Sequence, residues 1–461
     1  MRTENKMAVE PVGKLIWQMS LPPLISMFLQ YSYNLIDSAF VAQLSENALT
    51  AVSLSFPITT LMNAASIWIG VGVNVLIAGY LGRKEQDKAN AAVTHGLLLS
   101  FGIGALLTLV SLCMMRPYFR AFTGNEEIYR LSIAYMGVCS FMQIPNMVHI
   151  AIQKMIQATG NMVTPMWFQI AGVVVNFVLN PVLIFGIGVF PAMGIIGSAS
   201  ATVSGYLVSM ILAFALLLGT KQKVQVKVRG FRLQRRMIGR IFVFGLPSFI
   251  MNALSSFMVT IVNLFLVAYS DTAIAFFGAY FKVQQLIVMT VNGLIQGCLP
   301  VIRFNYAAGN KERLHLAFRY GTVLVTGMMV LGTLVVVLLP AQILGLFMAS
   351  EAMRSFGISA MRIMAASYLF CGLSTMISTY FQATEKVCSS IAIQLCRQLL
   401  FLAPALWCLD RLFRLNGIWL AFPVAEIAAL LVALVMMAWY RRKEGSTPRV
   451  ADGNDGQTSR R

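Results

Sequence analysis

Asp37 is an acidic residue inside a long apolar segment, and polar residues accompany it at helical spacing. The same stripe of the predicted helix holds Gln30, Tyr33 and Asn34. A charge at the centre of a bilayer costs ~2.5–3.5 kcal/mol on insertion scales, so a buried acid needs a partner or a water-filled cavity. We interpret Asp37 as a carboxylate that takes up a proton or a cation. The alternative is an interfacial cap or a structural hydrogen bond.

Two asparagines in a later apolar segment have the spacing of one helix face. Asn176 and Asn180 are four residues apart, and Thr202 lies in the segment that follows. Neutral oxygen donors of this kind complete a Na⁺ shell or relay a proton around a single carboxylate. Asparagines at helical spacing also hold helices together in membranes, so both interpretations stay open.

The second half of the chain carries its own polar residues in apolar surroundings. Lys282, Arg397 and Glu426 are ionisable, and Gln284 adds to a polar face of the segment that holds Lys282. An ion pair among the charged residues would be structural. The other interpretation is a second coupling or substrate site.

The sequence has no motif of an enzyme that would supply chemical energy. There is no GxxxxGK[ST] phosphate loop, no HExxH and no GxSxG, and the seven cysteines form no CxxC pair. We therefore expect neither an enzyme nor a bound cofactor. Uphill transport would have to draw on a gradient of H⁺ or Na⁺.

The composition indicates an integral membrane protein made of helices. Of the 461 residues, 58% are hydrophobic and only 11% are charged, whereas soluble proteins carry roughly 25% charged residues. The apolar runs are continuous rather than alternating, which favours helices over a barrel. Each is at least as long as the ~20 residues that a span requires. The predicted spans are 15–41, 50–79, 91–115, 131–156, 163–189, 194–219, 241–269, 273–300, 317–339, 356–382, 388–409 and 417–440.

The chain matches itself after a shift of 225 residues, which maps most of the first six spans onto the last six. Six is an even number, so both halves enter the membrane from the same side and the repeats are parallel. We predict an all-α fold of twelve transmembrane helices in two lobes. The predicted divisions are an N-lobe (1–220), a basic loop (221–240), a C-lobe (241–440) and a disordered tail (441–461).

The positive charge is distributed in the way that sets membrane topology. With the N-terminus inside, 23 lysines and arginines fall on the cytoplasmic side and seven on the other side. This bias predicts that both termini are cytoplasmic. The formal net charge of +18 is therefore interpreted as a topology signal and a contact with anionic lipid, not as a nucleic-acid surface.

Several short stretches lie within or beside the predicted spans: SLP at 20–22, YNLID at 33–37, GNMVTP at 160–165, NFVLNP at 176–181, QGCLP at 296–300 and NYAAGN at 305–310. Together they resemble the multidrug and toxic compound extrusion (MATE) transporters, and the similarity covers roughly residues 15–440. It is closest to the branch of bacterial multidrug export and DNA-damage-inducible-F-like proteins.

The resemblance implies two six-helix lobes in a V around a central cavity. It also implies a monomer in the bacterial inner membrane that exports cationic or amphipathic compounds in exchange for H⁺ or Na⁺. The cation-coupling positions that it implies are Asp37, Asn34, Asn176, Asn180 and Thr202, with Na⁺ at Asp37, Asn176 and Asn180 as one alternative.

This chain departs from the pattern of that branch, where relatives often have Asp in place of Asn180. A single carboxylate weakens a tight Na⁺ site, so we favour H⁺. The rival function is a lipid-linked oligosaccharide flippase of the same wider superfamily. Those proteins tend to have additional helices or strongly cationic lumens, and the twelve spans argue against it.

Overall fold

A computed structural model describes residues 6–188, 190–219, 222–227, 231–346 and 351–445, and these residues contain helices but no strand. The helices of the N-lobe are α1 (Lys6–Val9), α2 (Val12–Ala42), α3 (Glu46–Gly82), α4 (Gln86–Phe122), α5 (Glu126–Phe141), α6 (Gln143–Ala158), α7 (Val163–Phe185) and α8 (Ile195–Gly219). Those of the C-lobe are α9 (Arg235–Leu266), α10 (Asp271–Ala307), α11 (Lys311–Leu338), α12 (Pro340–Leu346), α13 (Glu351–Ala365), α14 (Ser367–Ala383), α15 (Val387–Leu395), a π-helical turn (Cys396–Leu400), α16 (Leu402–Phe413) and α17 (Leu415–Gly445).

The prediction of a helical membrane protein is confirmed. In the described part of the chain, ten helices are long and apolar enough to cross a membrane, and α5 with α6 forms an eleventh span bent by 41°. The remaining predicted span lies in α2, which is 31 residues long. Three predicted spans are broken inside. The breaks follow Phe141 and Ala365, and the third is the π-helical turn.

Two predicted boundaries differ from the observed helices. The loop predicted over 221–240 ends early because α9 already begins at Arg235. The tail predicted from residue 441 begins as helix, since α17 continues to Gly445. Arg442 and Lys443 occupy its last turn, where cations interact favourably with the helix dipole. Residues 446–461 lie outside the described part.

The segment between the lobes is attached to α4 by hydrogen bonds rather than hanging free. The backbone N–H of Gln225 donates to Asn90 (3.0 Å), and that of Lys227 donates to Thr94 (3.1 Å). Further along, the N–H of Gln234 donates to a ring nitrogen of His95 at 2.9 Å. Side chains of α4 thus supply the acceptors that an extended backbone needs.

The lobes meet at one end of the bundle, which we call the basic end because the basic linker lies there. There α2 and α3 pack against α9 and α10 of the other lobe. Glycines permit the closest approach: a Cβ at Gly293 would lie 2.6 Å from the Cα of Leu24. The indole N–H of Trp68 also donates to the carbonyl of Phe242 at 2.7 Å.

Two cations that the sequence places on the cytoplasmic side are buried between the lobes. Arg303 of α10 is fully buried, and its Nε donates to the carbonyl of Val75 in α3 at 3.1 Å. Lys154 of α6 is 6% exposed, and its Nζ donates to Gln296 of α10 at 2.6 Å. These contacts fasten the two lobes together at the basic end.

The lobes separate toward the opposite end and leave a cleft between them. Large apolar side chains of the helices that meet at the basic end are exposed there: Phe28 is 48% exposed, Leu61 54% and Leu286 40%. The two lobes therefore form the predicted V, closed at the basic end.

Candidate functional site

Asp37 lies inside the N-lobe, where three helices meet. Asn180 of α7 donates from its amide nitrogen to Oδ1 of Asp37, and Ser198 of α8 donates its hydroxyl to the same oxygen at 2.9 Å. Hydrogen bonds to an ionised carboxylate are roughly twice as strong as neutral ones. The site therefore holds the carboxylate of α2 between α7 and α8, and not at the lipid surface.

The positions of these donors follow from close packing of α7 on α8. A Cβ at Gly172 would lie 2.6 Å from the carbonyl oxygen of Gly205, so only glycine allows this separation. One turn further along α7, the amide of Asn176 donates to the hydroxyl of Thr202 at 3.2 Å. The i, i+4 spacing that predicted one face on α7 thus turns Asn180 to Asp37 and Asn176 to Thr202.

Sequence reasoning missed Ser198. It lies four residues before Thr202 on α8, and the two hydroxyls therefore share one face. That spacing was the available signal. It is weak, because serine in a membrane helix usually bonds to a carbonyl of its own helix, as Ser204 does with Ser200 at 2.8 Å.

A chain of amides continues the polar interior away from Asp37. Gln169 of α7 donates to Gln30 of α2 at 2.9 Å, and Gln153 of α6 donates to Gln169 at 3.0 Å. A cavity of about 30 Å³ lies between this chain and the Asn176–Thr202 pair. This volume has room for about two water molecules, which need ~10–15 Å³ each. Gln30 thus belongs to the same interior as Asp37, as its stripe predicted.

The arrangement suits a hydrogen-bonded carboxylate better than a bare metal shell. Both asparagines direct amide N–H groups, and not oxygens, at their partners Thr202 and Asp37. The described residues also contain no group of three or more His, Cys, Asp or Glu that could hold a metal. The buried Oδ1 of Asn180 accepts no hydrogen bond from them. The side chain of Asn34, the fifth predicted position, lies outside the described part.

The C-lobe brings together three of its four predicted polar residues. Arg397 and Glu426 form an ion pair with 3.0 Å between Nε and Oε1, and their side chains are 9% and 16% exposed. Arg397 lies in the π-helical turn, a distortion that is frequent at functional sites. Gln284 lines the adjacent cavity of about 60 Å³. Lys282 does not line that cavity and does not join the ion pair. Of the four predicted residues, it alone lies apart from the other three.

Comparison with known proteins identifies the family. The sequence profile named MatE matches residues 22–182 and again residues 247–407. Both ends of the second match are displaced from the first by 225 residues, which is the internal shift of the sequence.

The chain belongs to the MatE family. As a MATE protein it is a multi-pass membrane transporter with two lobes, and the two profile matches correspond to its halves. Each match covers the helices of one lobe from the first span into the fifth or its counterpart.

Relatives of similar length extend the likeness over nearly the whole chain. It is 25% identical over 435 residues to a protein named multidrug export protein MepA from Staphylococcus aureus, which covers 93% of this chain and 94% of the relative. It is 24% identical over 428 residues to a protein named FAD transporter from Shewanella oneidensis, with the same coverage.

Solved structures share the fold of this MATE protein. One is described as the outward-facing conformation of a multidrug resistance MATE family transporter. It superposes with a TM-score of 0.90 over 97% of this chain and 99% of that chain, at 24% identity.

Proposed function

We propose that this MATE protein is a secondary active efflux antiporter that exports amphipathic organic compounds in exchange for a cation bound at Asp37. The observation that carries the proposal is the carboxylate inside the N-lobe, held by donors from Asn180 and Ser198. The relative named as a multidrug export protein supports the export of small organic compounds.

Coupling follows if the cation and the cargo stabilise different arrangements of the lobes. A ligand shifts a conformational equilibrium only by its differential affinity for the two states. In our mechanism cargo enters the cleft while Asp37 is charged. Uptake of a cation by the carboxylate then weakens the bonds from α7 and α8, favours cargo release and resets the cycle.

We propose H⁺ as the coupling cation and Na⁺ as the alternative that the test must separate. Asp37 supplies one negative charge, and its neighbours present N–H and O–H donors that a proton transfer does not need to displace. Na⁺ would require both asparagine amides to turn their oxygens inward. Asn34 and Thr202 remain predicted members of either site.

The proposed topology places the basic end in the cytoplasm of a bacterial cell, with both termini inside. The cleft would then open to the outside, since the lobes touch at the basic end. The chain would act as a monomer in the inner membrane and catalyse no reaction. Anionic lipid headgroups would contact Arg235 and Arg236 at the start of α9, which are exposed.

The test is cation movement driven by cargo in proteoliposomes. Purified protein is reconstituted with a pH-sensitive dye inside, and an outward gradient of ethidium or fluorescein is imposed with and without Na⁺. We expect proton movement that depends on cargo and persists without Na⁺. Cargo movement with neither a proton nor a Na⁺ flux would contradict antiport.

Replacing Ser198 by alanine is expected to change the cation affinity of Asp37 without abolishing exchange. The change removes one of two donors to Asp37, and a hydrogen bond to a charged group contributes ~1.5–3 kcal/mol. The cation concentration for half-maximal exchange should fall by about tenfold or more, because the charged carboxylate loses a donor that competes with the cation. Ser204→Ala is the matched control on the same helix, because among the described residues the Ser204 hydroxyl bonds within α8 itself, at the carbonyl of Ser200. If both changes had the same effect on exchange, the assignment of Ser198 to the cation site would be wrong.

A second candidate cargo is a flavin nucleotide, which the name of the Shewanella oneidensis relative suggests. The two candidate cargoes differ in charge: flavin nucleotides are anionic, whereas the family resemblance implies cationic compounds. The charge of the cleft decides between the two.

A further inference from the structure

Lys282 faces the cleft between the lobes. It lies 11 residues before Gly293 on α10, which is three helical turns and about 16 Å toward the open end. Gly293 contacts Leu24 of α2, so this face of α10 is turned to the N-lobe. Tyr280 and Val291, which are 1% exposed, lie about half a turn away around the helix and pack into the C-lobe.

The ammonium of Lys282 is exposed and has no carboxylate partner among the described residues. The two acids that the sequence predicted inside membrane spans have other partners. Glu426 pairs with Arg397, and Asp37 is held by α7 and α8 within its own lobe. The charge that the cleft offers to a cargo on this face of α10 is therefore positive.

The surroundings of Lys282 suit an aromatic or apolar body. Leu286, one turn away on the same face, is 40% exposed, and Phe28 on the α2 side is 48% exposed. At the closed end of the cleft Trp68 stacks on Phe249, with 4.6 Å between the ring centroids. Apolar walls with a small number of placed polar groups are typical of sites for small organic molecules.

We propose that the cargo is an amphipathic organic anion, an aromatic or apolar body with a carboxylate, phosphate or sulfonate group, and that Lys282 binds that group in the cleft. The inference rests on the proposed efflux function and narrows its substrate class. It differs from the cationic cargo that the family resemblance implies. A charged residue of a membrane helix that faces an open cleft commonly marks a substrate pathway, and an anionic cargo would supply the counter-charge of Lys282.

The experiment compares two dyes that share the xanthene ring system and differ in charge. Binding of fluorescein (anionic) and rhodamine 6G (cationic) to the purified full-length protein is measured by fluorescence anisotropy, for wild type, Lys282→Met and Lys282→Arg. We expect the wild type to bind fluorescein more tightly. Lys282→Met should weaken fluorescein by about tenfold and leave rhodamine 6G unchanged or tighter, while Lys282→Arg should stay close to wild type.

Tighter binding of rhodamine 6G by the wild type would overturn the inference, and so would an unchanged fluorescein Kd in Lys282→Met. The relative affinity of the wild type for the two dyes is measured without any variant. It therefore tests the charge of the cargo even if a variant does not fold. Equilibrium binding also requires no coupled cation. Fluorescein bound through Lys282 but never exchanged for a cation would refute the proposed antiport alone. Exchange of rhodamine 6G for protons with fluorescein ignored would refute the anionic cargo alone.

Discussion

Asp37→Asn is expected to reduce cargo-driven proton movement in proteoliposomes to the level of protein-free vesicles, while the protein still folds and inserts. Asparagine keeps the size of the side chain and its ability to accept from Asn180 and Ser198. It cannot carry a charge or take up a proton at any working pH. If the carboxylate couples the two fluxes, exchange should therefore stop with this single change.

The controls separate coupling from a general effect of removing an acid. Asp37→Glu keeps the carboxylate and should retain part of the exchange. Asp410→Asn removes a carboxylate that also accepts a hydrogen bond, from the hydroxyl of Tyr269 in the C-lobe, and should leave exchange intact. Normal ethidium or fluorescein exchange by Asp37→Asn would refute the assignment of the coupling site.

Helix positions and the repeat could be predicted from sequence because both depend on local pattern. An apolar run of membrane length is recognisable without its neighbours. Its ends, as at Arg235 and Gly445, and its internal breaks, as at the π-helical turn, were not predicted. The pairing of Asn176 with Asn180 on one face needed only the helical period. These features require no knowledge of which helices touch.

The rest of the site depends on contacts between distant segments. The bond from Ser198 to Asp37 joins residues 161 apart, and no local pattern specifies it. Charge counting likewise assigned Lys154 and Arg303 to the cytoplasmic surface, because a basic residue near the end of a span usually reaches water. The structure instead buries both between the lobes, where carbonyl and amide acceptors satisfy them.

Equivalent positions of the two repeats, Gly160 and Glu385, both have a left-handed backbone conformation. Gly160 has a backbone φ of +91°, and the equivalent residue after a shift of 225 is Glu385, with a φ of +65°. The N-lobe uses glycine for this left-handed turn, and the C-lobe holds a glutamate in the same conformation. A residue other than glycine is held there at a cost of roughly 1–2 kcal/mol, and such strain commonly accompanies a functional constraint.

The constraint on Glu385 is a cluster of three arginines at the basic end. Arg303 donates to its carboxylate, and the guanidinium groups of Arg240 and Arg83 lie 3.5 Å and 3.7 Å from the same oxygen. Arg83 belongs to the N-lobe, and Arg303 also reaches the N-lobe through the carbonyl of Val75. Glu385 is therefore the counter-charge of a clamp that fastens the two lobes.

The charge of Glu385 is present at any pH where the transporter would work. Partial burial alone would raise its pKa, but the guanidinium groups of Arg303, Arg240 and Arg83 outweigh burial and lower the pKa below its ordinary value of 4.5. A carboxyl whose pKa is lower in the folded protein stabilises the folded state above its unfolded pKa. That contribution is lost only as the pH falls through the folded pKa.

Glu385→Gln is expected to open the basic end. The change leaves Arg303, whose side chain is 1% exposed, without a carboxylate, and removing one member of a buried ion pair costs ~3–5 kcal/mol. Glu385 is itself 39% exposed, so solvent screening reduces the expected loss to about 2 kcal/mol, or roughly 30-fold in the ratio of closed to open protein.

Spin labels on Lys88 of α4 and Lys311 of α11, in a cysteine-free background, report the separation of the lobes at this end. We expect longer distances to appear in the distribution. Lys84→Gly is the control, because Lys84 also has a left-handed φ, of +62°, but is not among the described residues that pair with Glu385. If Glu385→Gln and Lys84→Gly both gave the wild-type distribution, the clamp would not determine which end of the cleft is closed.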